Sequence, residues 1–211
     1  MSIAVIDYGM GNLRSVAKAI EHVAPRERVT ITADGAAIDA ADRVVFPGQG
    51  AMPDCMREMD ARGLRGPVLR AAAAKPFLGV CIGLQMLFDS SEEGNVAGLS
   101  LMPGGVRRFP DAAMVGEDGV RLKVPHMGWN RVAQARAHPL WRGVENDTRF
   151  YFVHSYFVDP TDPALCAART SYGVPFTAAV ARDNIFAVQF HPEKSQAAGL
   201  TLLANFASWN P

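Results

Sequence analysis

One stretch limits the folds open to this chain more than any other: Lys75-Pro-Phe-Leu-Gly-Val-Cys-Ile-Gly-Leu-Gln85. An apolar strand, Phe77 to Val80, runs into Cys81, with Gly79 two residues before it and Gly83 two residues after it. A helical stretch, Leu84 to Phe88, is predicted to follow. Small residues on both sides of a nucleophile permit a tight strand-to-helix turn with close backbone approach, the cysteine counterpart of the G-x-S-x-G elbow. Such a turn lifts the thiol above a sheet, and the free N–H groups of the following helix favour the thiolate.

The remainder of the first half supports a sheet of the kind that carries such an elbow. Ile3 to Ile6, Arg28 to Thr32 and Arg43 to Pro47 read as short buried strands. Between them Leu13, Val16, Ala17, Ile20 and Val23 repeat at helical spacing behind a possible Asn12 cap. Helices are predicted over Ala51 to Asp60 and Leu64 to Ala74. Strands alternating with helices imply a parallel sheet covered on both faces. From Val106 onward the segments are β-like and separated by turns: Gly119 to Pro125, Arg149 to Tyr156, Cys166 to Thr170, Phe176 to Ala181 and Ile185 to Phe190, with Asp183-Asn184 as a hairpin turn. A last helix spans Gln196 to Trp209. The expected fold class is α/β: an open, mostly parallel sheet flanked by helices, with an antiparallel β portion in the second half, in a single domain over residues 1–211.

Composition narrows the function classes. The chain has 211 residues, 49% of them hydrophobic, with 21 basic and 21 acidic side chains. That balance gives no reason to expect a nucleic-acid or membrane partner. Apolar runs break well before the ~20 residues of a bilayer span, and the N-terminus opens directly into a strand without a signal-peptide pattern. Three cysteines without metal-ligand spacing fit a reducing cytoplasm and give no metal site or cofactor. Cys55 and Cys166 read as structural, His22 and His138 as exposed and inert.

A cysteine in an apolar setting is ordinarily a small core residue, so Cys81 needs partners to mean more. Gln189-Phe-His-Pro-Glu-Lys-Ser195, directly after another apolar strand, supplies them. Cys81, His191 to take its proton and Glu193 to orient that histidine make a nucleophilic triad, delivered at strand C-termini where open α/β sheets build sites. Pro47-Gly-Gln-Gly-Ala51 follows a strand and is read as an oxyanion loop, because glycine lets a backbone N–H turn into the site. Asp7-Tyr-Gly-Met-Gly-Asn12 lacks the full dinucleotide spacing and reads as structural or interface-forming.

Gly79-Val-Cys-Ile-Gly-Leu-Gln85 together with His191-Pro-Glu193 resembles the triad glutamine amidotransferases. Asp7-Tyr-Gly-Met-Gly-Asn-Leu13, Pro125-His-Met-Gly-Trp-Asn130 and His191-Pro-Glu-Lys-Ser195 are similar to the glutaminase subunits of imidazole glycerol phosphate synthase, over nearly the whole chain and in the family's order. The resemblance implies that Cys81, His191 and Glu193 hydrolyse glutamine through a thioester. It implies that N–H groups at Gly50 and Ile82 hold the oxyanion, that Gln85 and the backbone of Ser155 and Tyr156 bind the substrate, and that Glu93 meets its α-amino group. It further implies ammonia transfer to a separate (β/α)-barrel cyclase in a heterodimer of histidine biosynthesis. Trp129, in a glycine-flanked turn, with Tyr151 and Lys194, would lie at that interface or on the ammonia path. The family loop usually has an aliphatic residue where this chain has Gln49. Two other readings stay open: a glutaminase of another synthase or a stand-alone glutamyl hydrolase, and a catalytically silent regulatory subunit.

Overall fold

The computed structural model of the chain describes residues 1–116 and 119–211. Four strands of the first half are β1 (Ser2–Ile6), β2 (Arg28–Thr32), β3 (Arg43–Gly48) and β4 (Phe77–Cys81). They are followed by β5 (Phe88–Ser91), β6 (Val96–Ala97), β7 (Met102–Arg108), β8 (His126–Gln134) and β9 (Thr148–His154). The last are β10 (Tyr156–Pro160), β11 (Cys166–Tyr172), β12 (Val174–Arg182) and β13 (Ile185–Val188). Helices are α1 (Leu13–Val23), α2 (Gly35–Ala40), α3 (Met52–Ala61), α4 (Arg65–Ala74), α5 (Ile82–Gln85) and α6 (Gln196–Ser208).

The sheet runs in the order β2-β1-β3-β4-β13-β12-β10-β7-β5-β6 among the described residues. Its first five strands are mutually parallel. At β13 the direction changes: β12 pairs antiparallel to it, with Arg182 opposite Ile185 across the expected turn, and β10 pairs antiparallel to β12. A second arm leaves through β11 to β8 and β9. The central parallel strands are hydrophobic on both faces because helices cover both: every residue of β3, β4 and β13 is buried, whereas the edge strand β2 has none buried. Helix α1 buries Val16, Ala17 and Ile20 and packs against α6, while α2 packs against α4. Arg43 at the start of β3 is also buried, its guanidinium donating to Ala207 O (2.8 Å) and Asn210 Oδ1 (2.9 Å), which ties the C-terminal end of α6 to the sheet. Among the described residues no helix is long and apolar enough to cross a membrane.

Several expectations need correction. Asn12 precedes α1 but makes no side-chain cap, whereas Asp34, which gave no sequence signal strong enough to be read, caps α2 through Ala36 N (3.0 Å). The predicted helix from Leu84 to Phe88 is a single turn, Ile82–Gln85, and the chain re-enters the sheet at Phe88. Gly119 to Pro125 is loop rather than strand, with an isolated bridge between Val115 and Arg121. Trp129 lies in the middle of β8 and not in a turn: its paired partner is Tyr151 on β9. The segment read as one strand to Tyr156 breaks at Ser155 into β9 and β10. His138 is half-buried, accepting from Leu140 N (3.2 Å) and packing on Phe186 and Trp209; burial, with Arg136 nearby, lowers its pKa to about 4.

Candidate active site

Parallel pairing sets Cys81 level with Gly48 of β3, and Val80 level with Val188 of β13, so three strand ends converge on one point. At that point Cys81 adopts φ +56°, ψ −111°, a backbone state that a side chain pays for and that marks a nucleophile elbow. The elbow closes only because of what flanks it. A Cβ on Gly83 would stand 1.8 Å from Phe46 O, and one on Gly48 would stand 2.2 Å from the Tyr8 hydroxyl. The glycines therefore let the turn sit directly against β3.

A pocket of about 200 Å³ opens above the sulfur. Cys81 and His191 face it from the parallel sheet, Gln49, Gly50 and Ile82 from the two adjoining turns, and Ser155 and Tyr156 from the break between β9 and β10. Gln85 and Glu93 complete it. The structure thus gathers every residue expected at the triad, oxyanion and substrate positions except Glu193, which stands behind His191: its Oε1 lies 2.8 Å from His191 Nδ1, and both side chains are buried. That contact makes Nδ1 the proton-bearing nitrogen and leaves the buried Nε2 free to face Cys81. Burial opposes charge on His191, but the negative charge of Cys81 and a hydrogen bond to it, joined by Glu193, outweigh that and raise its pKa to about 10.

The other lining groups are held by named contacts. Gln85 Nε2 donates to Tyr156 O (3.0 Å), and its buried Oε1 has no partner among the described residues. Glu93 accepts from Met52 N (2.7 Å) at the start of α3, so one carboxylate oxygen is committed to capping the helix that follows the glycine loop. Gly50 has φ +105°, as a loop that turns its N–H needs. The loop is pinned from below by the Tyr8 hydroxyl on Pro47 O (2.9 Å) and by Cys55 Sγ on Gln49 O (3.6 Å), which gives Asp7-Tyr8 and the structural Cys55 their place.

Trp129, Tyr151 and Lys194 are grouped on one face, outside the pocket. Trp129 is 43% exposed and Met127 on the same strand is 62% exposed. The Trp129 and Tyr151 rings meet edge-on at 6.0 Å, and Lys194 Nζ lies 5.8 Å above the Tyr151 ring. The backbone of Tyr151 is tied to the triad loop: its carbonyl accepts from His191 N (2.9 Å) and its N–H donates to Ser195 Oγ (3.0 Å).

Sequence reasoning missed the buried pair His126 and His154. His154 Nδ1 lies 2.7 Å from Tyr156 O, which can only accept, so Nδ1 carries the proton and Nε2 accepts. His126 Nδ1 must then donate to His154 Nε2 (3.0 Å), and His126 Nε2 accepts from Asn130 Nδ2 (3.4 Å). Burial lowers both, to about 4 for His126 and about 3 for His154, so the pair is neutral. The only sequence signal was the alternation of β8, which sends His126 inward while Met127 and Trp129 face out.

Comparison with known proteins agrees with this geometry. The family model of class-I glutamine amidotransferases matches residues 4–208. The imidazole glycerol phosphate synthase subunit HisH of Aromatoleum aromaticum is 71% identical, with 99% of each chain covered, and that of Dechloromonas aromatica is 66% identical, covering 100% of this chain and 97% of the other. Among solved structures, a glutamine amidotransferase superposes with a TM-score of 0.70 at 13% identity, covering 96% of this chain and 98% of that one. Another, from Thermotoga maritima, gives 0.60 at 15%, covering 92% and 76%. At such low identity the last two speak for the fold alone. Identity near 70% over full length speaks for more: this chain belongs to the class-I glutamine amidotransferases and, within them, to the family of HisH subunits of imidazole glycerol phosphate synthase.

Proposed function

We propose that residues 1–211 act as one glutamine amidotransferase domain in which Cys81 is the nucleophile, His191 the acid and base, and Glu193 the group that orients the imidazole. The observation that carries this is the strained Cys81 elbow sharing a pocket with a His191 that Glu193 holds at 2.8 Å. His191 takes the thiol proton, and the sulfur attacks the side-chain amide carbon of glutamine. The oxyanion is met by backbone N–H groups at Gly50 and Ile82. His191 gives its proton to the departing ammonia. The neutral imidazole then takes a proton from water, which cleaves the glutamyl thioester, and glutamate leaves with Cys81 and His191 restored.

Substrate recognition follows from the lining. The carbonyl of Gln85, buried and unpaired, accepts from the substrate. The backbone at Ser155 and Tyr156 grips the α-carboxylate end, and Glu93 draws the α-amino group with the oxygen that does not cap α3.

The HisH relatives are named as synthase subunits, which supports a partner for this chain as well. We assign that partner, as the resemblance implies, as a (β/α)-barrel cyclase in a cytoplasmic heterodimer; a barrel of that kind needs ~250 residues, more than this domain offers. Ammonia then leaves past Tyr151 and Lys194, and the face of Met127 and Trp129 docks the cyclase. The test is glutamate release from glutamine by the chain alone, then with the cyclase and its nucleotide ligand. Strong activation is expected. High activity without any partner effect would make the chain an independent hydrolase, and silence in both states would make it a regulatory subunit.

A further inference from the structure

We propose that Gln189 is a positioning residue for the nucleophile: its amide N–H holds the Cys81 sulfur while its carbonyl locks Gln85, so that the attacking atom and a substrate-binding side chain share one fixed strut. The inference rests on Cys81 being the nucleophile.

Gln189 is fully buried, one residue beyond the end of β13 and beside the strand that ends at Cys81. Its backbone is fixed by donation to Ala178 O (2.8 Å). A buried amide needs partners at both ends, and here the direction of each bond is determined. Gln85 points Nε2 at Tyr156 O, which can only accept. The same Nε2 lies 3.0 Å from Gln189, so the atom it meets is Oε1. That forces Gln189 Nε2 toward Cys81 Sγ, at 3.7 Å, with sulfur as the acceptor. A donor aimed at sulfur stabilises the anion over the thiol. The titratable groups around Cys81 include His191, with Glu193 behind it, Glu93, His154 and Tyr156 lining the same pocket, and Tyr8 and Cys55. Of these, the last two are buried neutral acids. Gln189 is thus a second support for the sulfur beside His191, and its loss leaves the Gln85 amide N–H held by Tyr156 O alone.

The experiment compares wild type with Gln189→Met, which keeps length and loses the donor, and Gln189→Glu, which keeps shape and turns an acceptor to the sulfur. Each is studied in complex with the partner subunit. The pH profile of Cys81 alkylation by iodoacetamide is followed by mass spectrometry, together with kcat and KM for glutamine. Thermal melting reports folding. In both variants the alkylation midpoint should move to higher pH, further for Gln189→Glu. For Gln189→Met, kcat should fall roughly ten-fold, the scale of a lost hydrogen bond to a charged group, and KM should rise as Gln85 loosens. A folded variant whose alkylation profile overlays wild type makes Gln189 a core residue and overturns the proposal, as does failure of both variants to fold. Wild type that turns over glutamine with Cys81 never alkylated would instead sink the nucleophile assignment itself.

Discussion

The two arms of the sheet solve different problems with different means. In the parallel arm, β1 to β4 with β13, the site is made from backbone: a strained cysteine, glycines that admit close contact, and strand ends brought level by register. In the arm of β8 and β9 it is made from side chains: alternate residues look inward to a neutral histidine pair and outward to an apolar face. On the proposed reading, chemistry belongs to the rigid, strained backbone and partner recognition to side chains that can be exchanged without breaking the fold. The two meet in the bonds between Tyr151 and the loop of His191 to Ser195.

The comparison breaks most sharply at the nucleophile. Cys81→Ala should lower glutamine hydrolysis at least ~10⁴-fold, as removal of a triad nucleophile does, with no loss of thermal stability and with ammonia-driven synthesis by the complex retained. Measurable glutamine-driven turnover above a trace would mean that the parallel arm does not hold the chemistry.

Next comes the backbone device itself. Gly83→Ala places a methyl against Phe46 O, in contact with backbone that cannot swing aside. It should cost about 3 kcal/mol, near the upper range for overpacking, read as a melting temperature lower by roughly 6–12 °C in a chain of this size. A variant with wild-type melting would show that the turn has room and that its glycines serve only conformation.

How much of this was legible beforehand follows the same division. The elbow, the run of strands alternating with helices and the candidate partnership of Cys81 with His191 and Glu193 could be read because each is written in local patterns: an apolar run, a glycine at fixed spacing, a polar residue at a strand end. Trp129 was misread as part of a turn because Gly128 beside it is a turn signal, yet cross-strand pairing with Phe152 and Tyr151 on β9 holds the segment extended. Strands β5 to β7 escaped notice because Met102-Pro-Gly-Gly105 carries no β signal of its own and is a strand only by pairing with β5 and β10. Gln189 was read only as part of the strand from Ile185 to Phe190; that it faces Cys81 depends on the register of β13 with β4, which no local pattern reveals.

The outward face of β8 offers a smaller effect with the opposite signature. Trp129→Ala should weaken binding to the cyclase by on the order of 2 kcal/mol and leave the melting temperature of the isolated chain nearly unchanged, because the indole is already 43% exposed. Titration calorimetry against the partner measures the first and a thermal scan the second. A stability loss without an affinity loss would move Trp129 from the recognition face to the core and blur the division between the arms.

The smallest effect is a slope rather than a step, and it tests the inward face of the same strand. The folded pKa values of His126 and His154, about 4 and about 3, lie below the ordinary value of 6.5. The unfolded chain therefore takes up these protons first as pH falls. The contribution to stability is complete above about 6.5 and is lost progressively below it, down to about 4 for His126 and about 3 for His154. Each imidazole adds about 1.4 kcal/mol per pH unit to that decline while only the unfolded form is protonated. His126→Phe keeps a ring between Phe152 and Tyr172 but removes one proton from the balance and leaves His154 Nε2 without its donor. The variant should be less stable at pH 7, by about 1–3 kcal/mol for the orphaned nitrogen, and should lose stability more gently between pH 6 and pH 4.5. Urea titrations at those pH values decide it. Parallel declines in variant and wild type would mean that His126 is already protonated in the fold, and the relay from Asn130 to Tyr156 would then have to carry a charge.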